Sequence, residues 1–134
     1  MTKSDVKYFD LQTTGIGYLN RIREVTLKEG TPFWSVTLAA LRGSVDNAQY
    51  THFECRVSGK QAQEVVRRLQ PAVEGRLKVL IGFTLSDLNP ETFTFKQGER
   101  AGTPGVSIKA RLLQIAWAKV DGQPFYSEGS QRAA

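Results

Sequence analysis

Residues 51–69 read THFECRVSGKQAQEVVRRL, and two different periods meet inside them. Up to Ser58 the alternation is strict: Phe53, Cys55 and Val57 fall on one side, and His52, Glu54, Arg56 and Ser58 on the other. That is the period of a half-buried strand. From Lys60 the spacing changes. Ala62, Val65, Val66 and Leu69 stand at i, i+3, i+4 and i+7, one apolar stripe of a helix. Ser58 followed by Gln61 has capping-box spacing, and Pro71 predicts the stop, so the helix is expected over 60–70.

Upstream, residues 15–25 mix β-branched, aromatic and polar side chains as a strand does. Gly15 and Gly17 predict a bulge or sharp bend in it. Lys28 to Pro32 reads as a turn, and 33–41 alternates again with Val36, Leu38 and Ala40 in phase. Downstream, 77–87 sets Leu77, Val79, Ile81, Phe83 and Leu85 on one face. Residues 89–103 read as a long polar connection with a β-like fragment at 92–96. A fifth strand covers 105–117, and the polar stretch 121–134 is expected to be a flexible tail.

The order is β-β-β-α-β-β, an all-β chain with one short helix between strands three and four. Closing five such strands into a Greek-key barrel hides the edges, and that arrangement is the OB-fold. Another small β-barrel or sandwich fits the same pattern. With 134 residues, the chain has the length of one domain, expected over 1–120.

One cysteine and one histidine cannot make an internal disulfide or a typical four-ligand zinc site. No apolar run approaches the roughly 20 residues of a membrane-spanning helix, and residues 1–10 lack the core of a secretion signal, so a cytoplasmic location is expected. Cys55 and His52 point to opposite strand faces, and no metalloprotease, nucleophile-elbow or phosphate-loop spacing occurs. Gly15 and Gly17 lack the third glycine and following helix of a dinucleotide site. A binding protein rather than an enzyme is expected, with no metal or nucleotide cofactor.

Eighteen Lys and Arg stand against 13 Asp and Glu, a net charge of +5, which favours polyanions without requiring one. Single-stranded nucleic acid is held by cations along its phosphates and aromatic faces under its bases. The outward phases offer Arg21 and Arg23 on strand one, His52 and Arg56 on strand three, Lys78 at strand four, and Lys109 and Arg111 on strand five. The long connection adds Phe93, Phe95, Lys96 and Arg100, and Tyr50 sits at a loop–strand junction. Arg21 and Arg23 are equally readable as a solvated strand face. Trp34 is a stacking candidate that also shares a phase with Val36 and Leu38, as a packed residue would.

The stretch Thr51 to Lys60, ending in a Gly-Lys step, resembles the third strand of bacterial single-stranded DNA-binding proteins. Residues 61–69 look like that family's helix, Gly75 with Val79-Leu80-Ile81-Gly82 like its fourth strand, and Gly30-Thr31-Pro32 with 33–39 like its second. The likeness spans about 15–116. Residues 18–25 and 110–117 resemble versions carried by integrative and conjugative elements. The resemblance implies a homo-oligomer, a dimer or tetramer, that coats single-stranded DNA during replication, recombination or transfer of a mobile element, with replication or conjugation proteins as possible partners. Two departures matter. Where the family carries a stacking tryptophan and phenylalanine on strand three, this chain has His52 and Ser58, which implies weaker stacking there or a shift onto Phe93 and Phe95. The family's acidic, Phe-ended tail has no counterpart in Ser130-Gln131-Arg132-Ala133-Ala134, so recruitment by that route is not expected. Protein binding or RNA binding on the same face are the competing readings.

Overall fold

The computed structural model describes Phe9 and residues 11–127. Its elements are β1 (Gln12–Val25), β2 (Phe33–Arg42), β3 (Gln49–Val57), α1 (Lys60–Glu74), β4 (Val79–Thr94), β5 (Pro104–Val120) and β6 (Gln123–Ser127), with a 3-10 turn at Val45–Asn47. The strands form one sheet in the order β3-β2-β1-β4-β5-β6, and a further β3–β5 pairing closes it into a ring. That closing pair is parallel, while the other pairings are antiparallel.

β1 bridges the two halves of the ring, pairing β4 through residues 12–18 and β2 through 17–25. Gly17 sits where the two pairings overlap. A Cβ there would lie 2.6 Å from the Ala39 carbonyl oxygen and 2.8 Å from Ala40 Cα, so only glycine allows this approach. The expected bulge comes one step later, between Leu19 and Arg21, and leaves Asn20 outside the ladder. β5 is irregular too: its register against β4 shifts between Leu112 and Gln114 and again between Ile115 and Trp117. Each shift resets the alternation, so Ile115 is buried although the phase of Ala110 and Leu112 predicts otherwise.

The ring encloses Val36, Leu38, Phe53, Cys55, Ile81, Phe83, Leu85 and Leu112. α1 closes one end with Ala62, Val65, Val66 and Leu69, none more than 2% exposed. Burying each of the larger members contributes about 1.5–3 kcal/mol.

The helix departs from expectation at both ends. Pro71 lies inside it, because α1 continues to Glu74. A proline there removes one intrahelical bond, but the extra turn packs Ala72 and Val73 against the core. The true stop is the next turn: Arg76, at φ 62°, donates to the Val73 carbonyl while Leu77 donates to that of Ala72. This is a Schellman motif, with arginine in the left-handed position that glycine usually takes. No capping box forms. Gly59 is the N-cap, at φ 85°, and a Cβ on it would meet the Leu113 carbonyl at 3.0 Å. Gln61 instead clamps β5, accepting from Ile115 N at 3.0 Å and donating to Ile115 O at 2.7 Å and Tyr126 Oη at 2.8 Å.

Two further expectations need correction. The long polar connection is mostly strand: β4 and β5 stay paired out to Thr94 and Pro104, leaving only 95–103 as the tip of a two-stranded arm. The stretch expected to be a flexible tail begins with β6, which pairs with β5 and sets Phe125 and Tyr126 against the core. Residues 128–134 of that tail lie outside the described residues. The polar alternation there hid a sixth strand because only two aromatics anchor it. Among the described residues, no helix is long and apolar enough to cross a membrane.

Candidate nucleic-acid interface

Alternate residues of a strand share a face, and paired residues of neighbouring strands share it too. The registers therefore arrange the outward side chains of β1, β2, β3 and β5 in rows. One row runs Arg23–Ser35–Arg56–Arg111 across four strands; the row beside it runs Arg21–Thr37–Glu54–Lys109. Adjacent strands are about 4.8 Å apart, so five cations stand on one continuous surface. All five are exposed.

The cations are only partly countered. Glu54 lies between Arg21 and Lys109 in register, and its carboxylate accepts from Thr37 Oγ1 at 3.2 Å. Arg111 donates to Asp87 Oδ2 at 3.3 Å and to Ser58 Oγ at 3.3 Å. The Arg56 guanidinium lies over the Phe33 ring, 4.1 Å from its centroid. Arg21 and Arg23 have no carboxylate partner among the described ion pairs.

The β4–β5 arm rises beside these rows. Phe93 and Phe95 meet edge to face at 4.8 Å, and the Arg100 guanidinium lies 4.1 Å from the Phe95 centroid. Gly105 beneath them carries no side chain, and a Cβ there would lie within 3.0 Å of both rings. Phe93 remains 43% exposed. A hollow of about 400 Å³ joins arm to rows, with Phe93 and Glu91 on one side and Arg21, Glu54 and Lys109 on the other.

At the other end of the rows lies a cleft of about 490 Å³. Its sheet wall is the next row, Tyr18–Ala39–His52, with Tyr50 beyond it. Tyr18 and Tyr50 have centroids 6.5 Å apart, and Tyr50 and His52 6.4 Å. The opposite wall is the α1–β4 turn, which contributes Arg76, Leu77 and Lys78. Lys78 is fixed through its backbone: its amide donates to Asp121 Oδ1, and its carbonyl accepts from Asp121 N.

The residues singled out in the sequence thus fall into three neighbouring groups. Tyr50, His52 and Lys78 line the cleft; Arg21, Arg23, Arg56, Lys109 and Arg111 form the rows; Phe93, Phe95, Lys96 and Arg100 belong to the arm. Trp34 does not join them, being half-buried against the core. Tyr18 and Arg76 escaped the sequence reading. Tyr18 is in phase with Ile16, opposite buried Leu19, so alternation alone could have found it. Arg76 sits in a turn whose backbone no local pattern announces.

Cys55 points inward and is 1% exposed. Burial, aided by the nearby Glu54 charge, pushes its thiol up to about 12, which leaves it unreactive at neutral pH. Among the described residues, no three His, Cys, Asp or Glu side chains gather as metal ligands would.

Residues 2–134 match the family described as "Protein of unknown function (DUF3577)", and the chain belongs to it. No curated protein and no solved structure matches it significantly.

Proposed function

We propose that this chain is a non-enzymatic, sequence-tolerant single-stranded DNA-binding protein with an OB-fold, acting in the cytoplasm as a homo-oligomer. The fold reading is supported by the ring order β1-β2-β3-β5-β4, its parallel β3–β5 closure and the helix between β3 and β4. OB-folds bind oligonucleotides on the strand two–three face with the loops joining strands one to two and four to five. The observation that carries the functional reading is the meeting of the cation rows with the aromatic arm on that face. Phosphates lie along Arg21, Arg23, Arg56, Lys109 and Arg111, with Lys96 and Arg100 at the arm tip, and bases stack on Phe93, Phe95, Tyr50 and His52.

Assembly from copies rests on another side of the ring. There Ile16, 45% exposed, shares a row with Gly82 and Trp117, whose ring covers the glycine. A second chain meeting that row gives a dimer, and two such dimers a tetramer. In the cell, the protein coats strands exposed in replication, recombination or transfer of a mobile element.

The test is a titration of labelled oligo-dT, oligo-U and a matched duplex. Tight binding to oligo-dT with weak binding to the duplex is expected. Equal affinity for duplex, or none for oligo-dT, sinks the proposal; preference for oligo-U turns it toward RNA.

A further inference from the structure

We propose that the cleft between the β1–β3 face and the α1–β4 turn is a nucleotide pocket that receives one nucleotide of the bound strand. Its base lies against Tyr18, Tyr50 and His52, and its phosphate is held by Arg76 and Lys78. The inference deepens the single-strand reading and rests on it.

Three observations converge on this cleft. Its about 490 Å³ falls in the range of pockets that bury small molecules. None of the residues lining it is acidic, whereas the hollow at the arm carries Glu54 and Glu91. Aromatic rings inclined to one another by 40–53° and facing two cations, without a carboxylate, suit a ligand that joins a planar base to an anion.

The backbone is bent at both rims to build it. The β1 bulge takes Asn20 out of the ladder and into the cleft lining, a common use of bulges beside binding sites. Its amide can both donate to and accept from a base edge. On the facing wall, Arg76 occupies a left-handed position where glycine costs less. Backbone strain retained at a cation that lines a pocket is the pattern seen at ligand-binding positions. The floor is apolar, from Leu19, Val73 and Val79, and excludes water from beneath a bound base.

The cleft also continues the proposed strand path. His52 and Arg56 are four residues apart on one face of β3, about 13 Å, so a strand lying along the cation rows reaches the aromatic wall without leaving the sheet.

Titration of the full-length chain with dTMP, thymidine and inorganic phosphate, followed by amide NMR, tests this. Saturable dTMP shifts at Tyr18, Tyr50 and Arg76 are expected, with thymidine and phosphate each binding about tenfold or more weakly. Arg76→Gly should weaken dTMP about tenfold while raising or maintaining the melting temperature, because glycine relaxes the turn. A purely structural arginine would give the thermal result without the affinity loss, and that overturns the inference. Arg67→Gln, on the exposed side of α1 where Arg67 pairs with Glu64, should leave dTMP binding unchanged. Oligo-dT should displace dTMP; simultaneous binding of both marks a free-nucleotide pocket and refutes the strand assignment. If oligo-dT does not bind at all, the single-strand reading itself fails; if it binds while dTMP does not, only the pocket fails.

Discussion

Replacing Arg23 and Arg56 together by glutamine removes two guanidinium groups from one row while keeping most of each side chain's reach. Both are exposed, and they flank Ser35 in the pairing of β1, β2 and β3. A strand lying along this row contacts both. Each phosphate contact on a single strand contributes about −0.7 to the slope of log affinity against log salt. The double variant should therefore flatten that slope by about 1.4, equivalent to about a sevenfold loss of salt sensitivity between roughly 50 and 200 mM. The structural cost is small: Arg56 loses its contact over Phe33 at 4.1 Å, worth about 0.5–1 kcal/mol at an exposed site. Arg67→Gln is the control, because Arg67 lies on the exposed side of α1, paired with Glu64 and away from the rows. Fluorescence titration of labelled oligo-dT at four salt concentrations reads all three slopes. An unchanged slope in the double variant, or an equal loss in the Arg67 variant, refutes the placement of the strand on these rows.

Other outcomes follow from the same geometry. Phe93→Ala with Phe95→Ala should cost about 1–3 kcal/mol of binding per lost stacked base, while the melting temperature stays nearly constant, since both rings sit on the arm; an unaltered affinity would move stacking elsewhere. Gly17→Ala drives a Cβ to 2.6 Å from the Ala39 carbonyl oxygen, and overpacking of this kind costs about 1–3 kcal/mol. A urea midpoint equal to that of the parent would show that β1 and β2 can separate there. Cys55 should resist thiol reagents at neutral pH until the protein unfolds. Its unfolded thiol ionises from about pH 9, while the buried thiol keeps its proton to about 12. Over that window the unfolded state alone loses the proton, so stability falls as pH rises, by at most about 1.4 kcal/mol per pH unit. Cys55→Ala should remove that part of the slope, and an identical pH dependence in the variant would contradict it.

The β3–α1 stretch carried most of the fold because its inward residues Phe53, Cys55 and Val57 and its helical stripe are all buried as their spacing requires. Local pattern failed where tertiary contacts outweigh it. Pro71 is tolerated because Ala72 and Val73 gain the core. Gln61 abandons a capping box because Ile115 offers two backbone partners. The arm looked like loop because its residues Asn89 to Thr94 are exposed and so lack an apolar alternation, although their backbone is fully paired with β5. For the site, outward phase located the cations of the rows, but neither the cleft nor Arg76 was readable. Their geometry depends on how a turn after α1 meets the outward face of β1, which no local spacing encodes.

Amide chemical-shift mapping of the chain saturated with oligo-dT decides whether a single strand follows the cation rows into the cleft. Shifts are expected at Tyr18, Arg23, His52, Arg56, Phe93 and Lys109, with Gly82, Trp117 and Arg67 unmoved. Shifts confined to that second group, or none at saturation, would contradict that path.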